Sequence, residues 1–285
     1  MTKGAAVVEI ALINKPFLLT RPGTRACLLL HGLGGGVYEM LLLAEVLYKQ
    51  GLTVCGINYP GHDRPATLMP RSTWQDWYGH ILDTYRDLSR SYQTITVIGF
   101  STGCPLALHL VNQTQHQPRY EAEIYQAQAS QSEETEASID RLVLLGPYLS
   151  IRYHWYYGFP LETYVQTIGR AIEQVPRLSL PIRDREMERA AKQAAFFQSF
   201  NLYAVRSAIE LIETYAKPVI PRVTVPTLIM QAQRDRVVDP SGAQYIYDTI
   251  ASSDKELVWL PESDHIIPLD VERETVFEKV AGFLS

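Results

Sequence analysis

Gly99-Phe100-Ser101-Thr102-Gly103 follows an apolar run at 95–98 and precedes a helix-competent run at 104–111. Strand, sharp serine-bearing turn and helix in succession give a G-x-S-x-G pattern mechanical meaning. Side chains crowd so tight a turn two residues either side of the serine, which explains glycine at 99 and 103. The turn lifts the Ser101 hydroxyl above the sheet edge. It also aims the Thr102 N–H at the space an acyl oxygen would occupy. A five-residue pattern can also mark an ordinary strand-to-helix turn, so the surrounding chain has to supply the partners.

Outward from this turn, apolar runs at 26–30, 52–57, 142–145 and 227–230 read as strands covered on both faces. Between them lie helical stretches at 37–50, stopped by Gly51, and from Ser72 or Thr73 onward. In the second, Thr73 and Asp76 have near capping-box spacing, and Trp74, Trp77, Ile81, Tyr85 and Leu88 repeat at helical intervals. Alternating strand and helix imply a mostly parallel central sheet flanked by helices. Residues 7–13 and 17–19 read as a hairpin around Asn14-Lys15-Pro16. A helix at 241–249, a strand at 256–260 and a helix at 270–284 with Asp270 as N-cap complete the pattern.

Two stretches depart from it. Residues 113–138 are rich in Gln, Glu and Ser and read as a solvated insertion. Residues 148–222 show no strand pattern and open on Tyr153, His154, Trp155, Tyr156, Tyr157 and Phe159. They read as a helical cap inserted over the carboxyl edge of the sheet. The expected division is 1–147 and 223–285 for the core and 148–222 for the cap.

Of the 285 residues 46% are hydrophobic and 20% charged, enough for a sizeable core. A net charge of -5 gives no reason to expect a nucleic-acid partner. No apolar run approaches the roughly 20 residues that span a bilayer. Glu9 interrupts the apolar segment after Lys3 before a signal-peptide core forms. Cys27, Cys55 and Cys104 are scattered, lie in apolar surroundings and lack metal-ligand spacing. The expectation is a cytoplasmic protein without a metal site built on cysteines.

A serine hydroxyl is a weak nucleophile near neutral pH and needs a base, which in turn needs an orienting acid. Ligands of open α/β sheets bind at the carboxyl ends of strands. Asp235 and His265 each leave such an end, and the order Ser, Asp, His suits an elbow serine. His265 is the favoured base; His31 and His62 lie on loops at the same edge as supporting candidates. Asp235 is the favoured acid. Asp239 suits a helix cap better, and Asp264 adjoins the base too closely for a side-on hydrogen bond. Oxyanion donors would be the N–H groups of Thr102 and Leu33, with glycines at 32, 34, 35 and 36 admitting close backbone approach to substrate. No G-x-G-x-x-G or Walker lysine accompanies them, which argues against a phosphate cradle.

Taken together, His31-Gly32-Leu33-Gly34-Gly35, Tyr59-Pro60-Gly61-His62, the elbow, Asp235-Arg236-Val237-Val238 and Ser263-Asp264-His265 resemble α/β-hydrolases of the bacterial carboxylesterase and monoacylglycerol lipase group. The resemblance covers most of the chain apart from the insertion and the cap. It implies the α/β-hydrolase fold, a triad of Ser101, Asp235 and His265, an oxyanion hole at Leu33 and Thr102, an acyl pocket and no cofactor. Ala232 and Cys104 stand where the family often carries Gly. The aromatic cap suggests an ester with an apolar acyl chain. Thioesterases and acyltransferases share the triad, and a non-catalytic ligand-binding member is the remaining alternative.

Overall fold

The computed structural model describes residues 11–116, 137–152, 158–167 and 170–285. The aromatic cluster at 153–157, most of the Gln- and Glu-rich insertion, and residues 7–10 of the expected hairpin lie outside them.

Nine strands are described: β1 Phe17–Leu19, β2 Arg25–Leu30, β3 Thr53–Gly56, β4 Thr94–Phe100, β5 Ser138–Leu145, β6 Gln174–Pro176, β7 Ser199–Asn201, β8 Thr227–Ala232 and β9 Lys255–Leu260. Seven form one sheet in the order β1-β3-β2-β4-β5-β8-β9. Every pairing in it is parallel except β1 with β3.

The apolar runs make sense as doubly covered strands because successive residues feed two different cores. On β2, Ala26, Leu28 and Leu30 join one buried cluster while Cys27 and Leu29 join the other. On β5, Leu142 and Leu144 face the first and Val143 and Leu145 the second. Helices complete each layer. The first cluster takes α2 (Trp74–Ser89), α3 (Gly103–His116) and α7 (Ser241–Thr249). The second takes α1 (Leu41–Lys49) and α8 (Arg273–Phe283). α2 carries a complete capping box: the Thr73 hydroxyl accepts the Asp76 N–H, and the Asp76 carboxylate accepts the Thr73 N–H.

Several local readings are corrected. The 17–19 strand pairs with β3, and residues 11–13 form no strand. The 37–50 stretch splits into a 3-10 turn, Val37–Glu39, and α1. Between β5 and β8 the chain forms the helices α4 (Leu161–Gln166), α5 (Arg185–Ala194) and α6 (Leu202–Glu210), but also an antiparallel ribbon of β6 with β7. Three-residue strands are too short to leave a periodic signal.

Asp270 does not cap the last helix, which starts at Arg273 behind Glu272. Its carboxylate instead accepts the N–H groups of Arg183, Asp184 and Val271 on one oxygen and of Asp264 on the other. It thereby ties the loop after β9 to the 183–184 segment.

Candidate active site

β4 ends beneath Ser101, whose φ of +52° lies in the left-handed region that side chains rarely adopt. The strain is tolerated because the turn is pinned on both sides. Ser101 N–H donates to Leu145 O at 2.9 Å and Cys104 N–H to Ser101 O at 3.0 Å. A Cβ at Gly99 would lie 2.5 Å from Gly103 O, and one at Gly103 would lie 2.3 Å from Leu30 O. Both glycines are therefore demanded by backbone packing.

β8 and β9 deliver the other two side chains. His265 Nε2 is 2.9 Å from Ser101 Oγ, and its Nδ1 is 2.7 Å from Asp235 Oδ2. The remaining Asp235 oxygen accepts the Val237 and Val238 N–H groups at 2.8 and 2.9 Å, while Gln231 Nε2 donates to Oδ2 at 3.0 Å. Asp235 is fully buried, and its arginine neighbours bind elsewhere: Arg234 pairs with Glu262 and Arg236 with Asp264. Asp264 accepts the His265 N–H and Asp239 that of Ser241, so neither competes for the ring.

Burial alone would depress the His265 imidazole. The charge and hydrogen bond of Asp235, aided by Glu39 and Asp264, hold it above the ordinary histidine value instead. Burial would likewise raise Asp235, but the His265 charge and the hydrogen bonds it accepts keep it below the usual carboxylate range.

The second loop is built by side chains that grip its backbone. His31 Nδ1 faces Gly32 O at 2.8 Å, so it carries the proton, and Nε2 accepts the Tyr59 N–H at 3.3 Å. His62 Nε2 accepts the Gly34 N–H at 3.0 Å, and Arg177 donates to Gly34 O at 2.9 Å. Burial drives both imidazoles toward neutrality, His62 to about 4.

Three of the glycines here leave room for the protein's own side chains. A Cβ at 34 would strike Phe200, one at 35 the Glu39 carboxylate and one at 36 the Asn14 carboxamide. Glu39 and Arg177 escaped the sequence reading. Glu39 sits alone in an apolar run, where a single acid gives no periodic signal.

Ser101 and His265 open on a cavity of about 220 Å³, also lined by Leu33, Thr102, Tyr148, Phe200, Val205 and Val238. Leu33 and Phe200 pack there against Val165, Leu202, Val205 and Ile209 of the β5–β8 excursion. Among the described residues no acid, His and Cys cluster could hold a metal, and no helix is long and apolar enough to cross a membrane.

A family profile described as serine aminopeptidase, S33, matches residues 22–272, which include both loops and Ser101, Asp235 and His265. The chain belongs to this family.

As a serine aminopeptidase S33 family member it is 27% identical to a thermostable monoacylglycerol lipase of Bacillus sp. (strain H-257), over 92% of this chain and 91% of that one. It is 26% identical to a carboxylesterase of Bacillus subtilis (strain 168), over 95% and 96%. A solved structure from work on the metagenome-derived lipolytic enzymes LipS and LipT superposes with a TM-score of 0.74 at 21% identity, covering 96% of this chain and 98% of that one. The family member thus has the α/β-hydrolase fold.

Proposed function

We propose that this α/β-hydrolase cleaves carboxylic esters bearing an apolar acyl chain, through an acyl-enzyme on Ser101. One observation carries the reading: a serine, imidazole and carboxylate in continuous hydrogen-bond contact, 2.9 and 2.7 Å, at the floor of an apolar cavity. The lipase and carboxylesterase relatives support ester cleavage.

Ser101 Oγ attacks the ester carbonyl carbon as its proton passes to His265 Nε2. The tetrahedral oxyanion takes the N–H groups of Leu33 and Thr102. Collapse expels the alcohol, which leaves with the proton from Nε2. Water, deprotonated by the same nitrogen, then releases the acid. Asp235 keeps the ring's other proton on Nδ1 and steadies the imidazolium.

A cavity of about 220 Å³ lies below the roughly 300–1,000 Å³ of drug-sized pockets and suits a short-to-medium acyl chain. The division into core 1–147 and 223–285 and cap 148–222 belongs to the proposal. It is supported by the packing of the excursion's side chains on Leu33 at the cavity. Cytoplasmic residence is proposed too, in keeping with three buried, unpaired thiols.

The test is hydrolysis of p-nitrophenyl esters, matched thioesters and p-nitroanilides by wild type and Ser101→Ala. Ester turnover should lead by a wide margin and vanish in the variant. A Ser101→Ala protein working at the wild-type rate would sink the mechanism, and a faster anilide or thioester would reassign the substrate.

A further inference from the structure

Glu39 is 2% exposed and lines the cavity that holds Ser101 and His265, yet no step above uses it. Its Oε2 accepts the Gly32 N–H at 3.1 Å, and the Gly36 N–H also faces the carboxylate. A Cβ on Gly35 would lie 2.2 Å from Oε2, so the missing side chain at 35 is what admits the acid. On the opposite flank Gly32 O takes the His31 Nδ1 proton at 2.8 Å and the Gly35 N–H at 3.1 Å. Gly32 is therefore gripped at both its N–H and its C=O. In a trans peptide the next N–H points opposite to that C=O, so Leu33 N–H is turned away from His31 and Gly35.

Resting on the hydrolase reading above, we propose that Glu39 is a positioning residue that fixes the 32–36 loop so that Leu33 N–H meets the developing oxyanion. The role runs through an acceptor oxygen rather than through charge. Burial raises the Glu39 carboxyl above its ordinary value, opposed by the Arg177 guanidinium, the Gly32 and Gly36 N–H groups and His265. The Tyr38 phenol also faces it, and the Glu39 charge acts through space on the buried Tyr59 phenol. Ionised or neutral, the carboxyl still presents an oxygen to Gly32, and so does a carboxamide.

Two routes displace that oxygen. Glu39→Ala removes it. Gly35→Ala pushes it aside, since the atoms nearest the added methyl are those of the flexible Glu39 carboxylate. Losing an oxyanion donor costs roughly 10²–10³ in kcat. Each variant should therefore lose about 100-fold in kcat on p-nitrophenyl butyrate, with KM within about threefold of wild type. Affinity for an alkyl boronic acid, whose serine adduct places an oxygen in the same hole, should fall in parallel. Glu39→Gln should recover most of the loss. In the Glu39→Ala background Gly35→Ala should cost nothing more, because its methyl enters vacated space.

Three results overturn the assignment: Glu39→Ala keeping near-wild-type kcat, Glu39→Gln falling as far as Glu39→Ala, or the two alanine effects multiplying. Should Glu39→Ala fail to fold, Gly35→Ala and Glu39→Gln decide alone. An inert Ser101→Ala beside a fully active Glu39→Ala removes only the role of Glu39. An active Ser101→Ala removes the hydrolase reading itself.

Discussion

Replacing Asp235 with Asn changes one atom and should stop the reaction. The backbone N–H groups of Val237 and Val238 require an oxygen at the Oδ1 position, 2.8 and 2.9 Å away. The new NH2 group is thereby forced into the Oδ2 position, where it meets two donors, Gln231 Nε2 at 3.0 Å and the His265 Nδ1 proton at 2.7 Å. Gln231 gains little by turning over, because the same Nε2 donates to Ala232 O at 3.0 Å.

The imidazole relieves the clash by carrying its proton on Nε2 instead. That proton then faces Ser101 Oγ at 2.9 Å, and no lone pair remains to accept the serine proton. A wrong-tautomer imidazole in a serine protease lowers kcat by about 10⁴, which corresponds to about 5.5 kcal/mol of barrier. Stopped-flow turnover of p-nitrophenyl butyrate, normalised to titrated sites, measures it. Asp239→Asn, which keeps an oxygen for the Ser241 N–H at the start of α7, should stay within about threefold of wild type. Retention of more than about 1% of wild-type kcat by Asp235→Asn would overturn the tautomer argument.

Other outcomes follow from the same geometry. Because Asp235, Glu39 and Asp264 hold the His265 imidazole above about 6.5, kcat/KM should fall as pH drops through a midpoint above that value; a midpoint below it contradicts the assigned environment. Gly103→Ala drives a methyl to 2.3 Å from Leu30 O, where only backbone can yield, and should destabilise by about 1–3 kcal/mol or more. An unchanged urea midpoint would be inconsistent with that contact. His62, neutral in the fold with a pKa near 4, takes up a proton more readily when unfolded. Its stabilisation is complete above about pH 6.5 and is lost as pH falls toward 4, amounting to about 3 kcal/mol. His62→Gln, which keeps an acceptor for the Gly34 N–H, should lack that share of the pH slope in urea titrations.

The sheet was legible because burial on both faces erases polar residues: 142–145 is uniformly apolar, with alternate side chains entering separate cores. Ser101, Asp235 and His265 could be grouped because their loops all leave strand ends at one rim, two of them on the adjacent strands β8 and β9. Asp270 was misread because its partners include Arg183 and Asp184, far away in sequence, and local capping rules cannot see them. The β6–β7 ribbon fell below the length at which alternation shows. Glu39 was hidden for the converse reason: between Tyr38 and Met40 it looks like an interruption of an apolar face, and only folding reveals that it turns onto Gly32. The glycine beside it, Gly35, was visible but pointed to substrate instead of to that acid.

The order of strands along the chain also has a temporal consequence. The serine turn lies between β4 and β5, but Asp235 waits for β8 and His265 for the loop beyond β9. During synthesis the growing polypeptide therefore carries the proposed nucleophile without its proposed base while the excursion after β5 is laid down. On the proposed mechanism, any fragment cut short before residue 265 lacks the base, so half-made copies would be far weaker toward the esters around them than the finished chain.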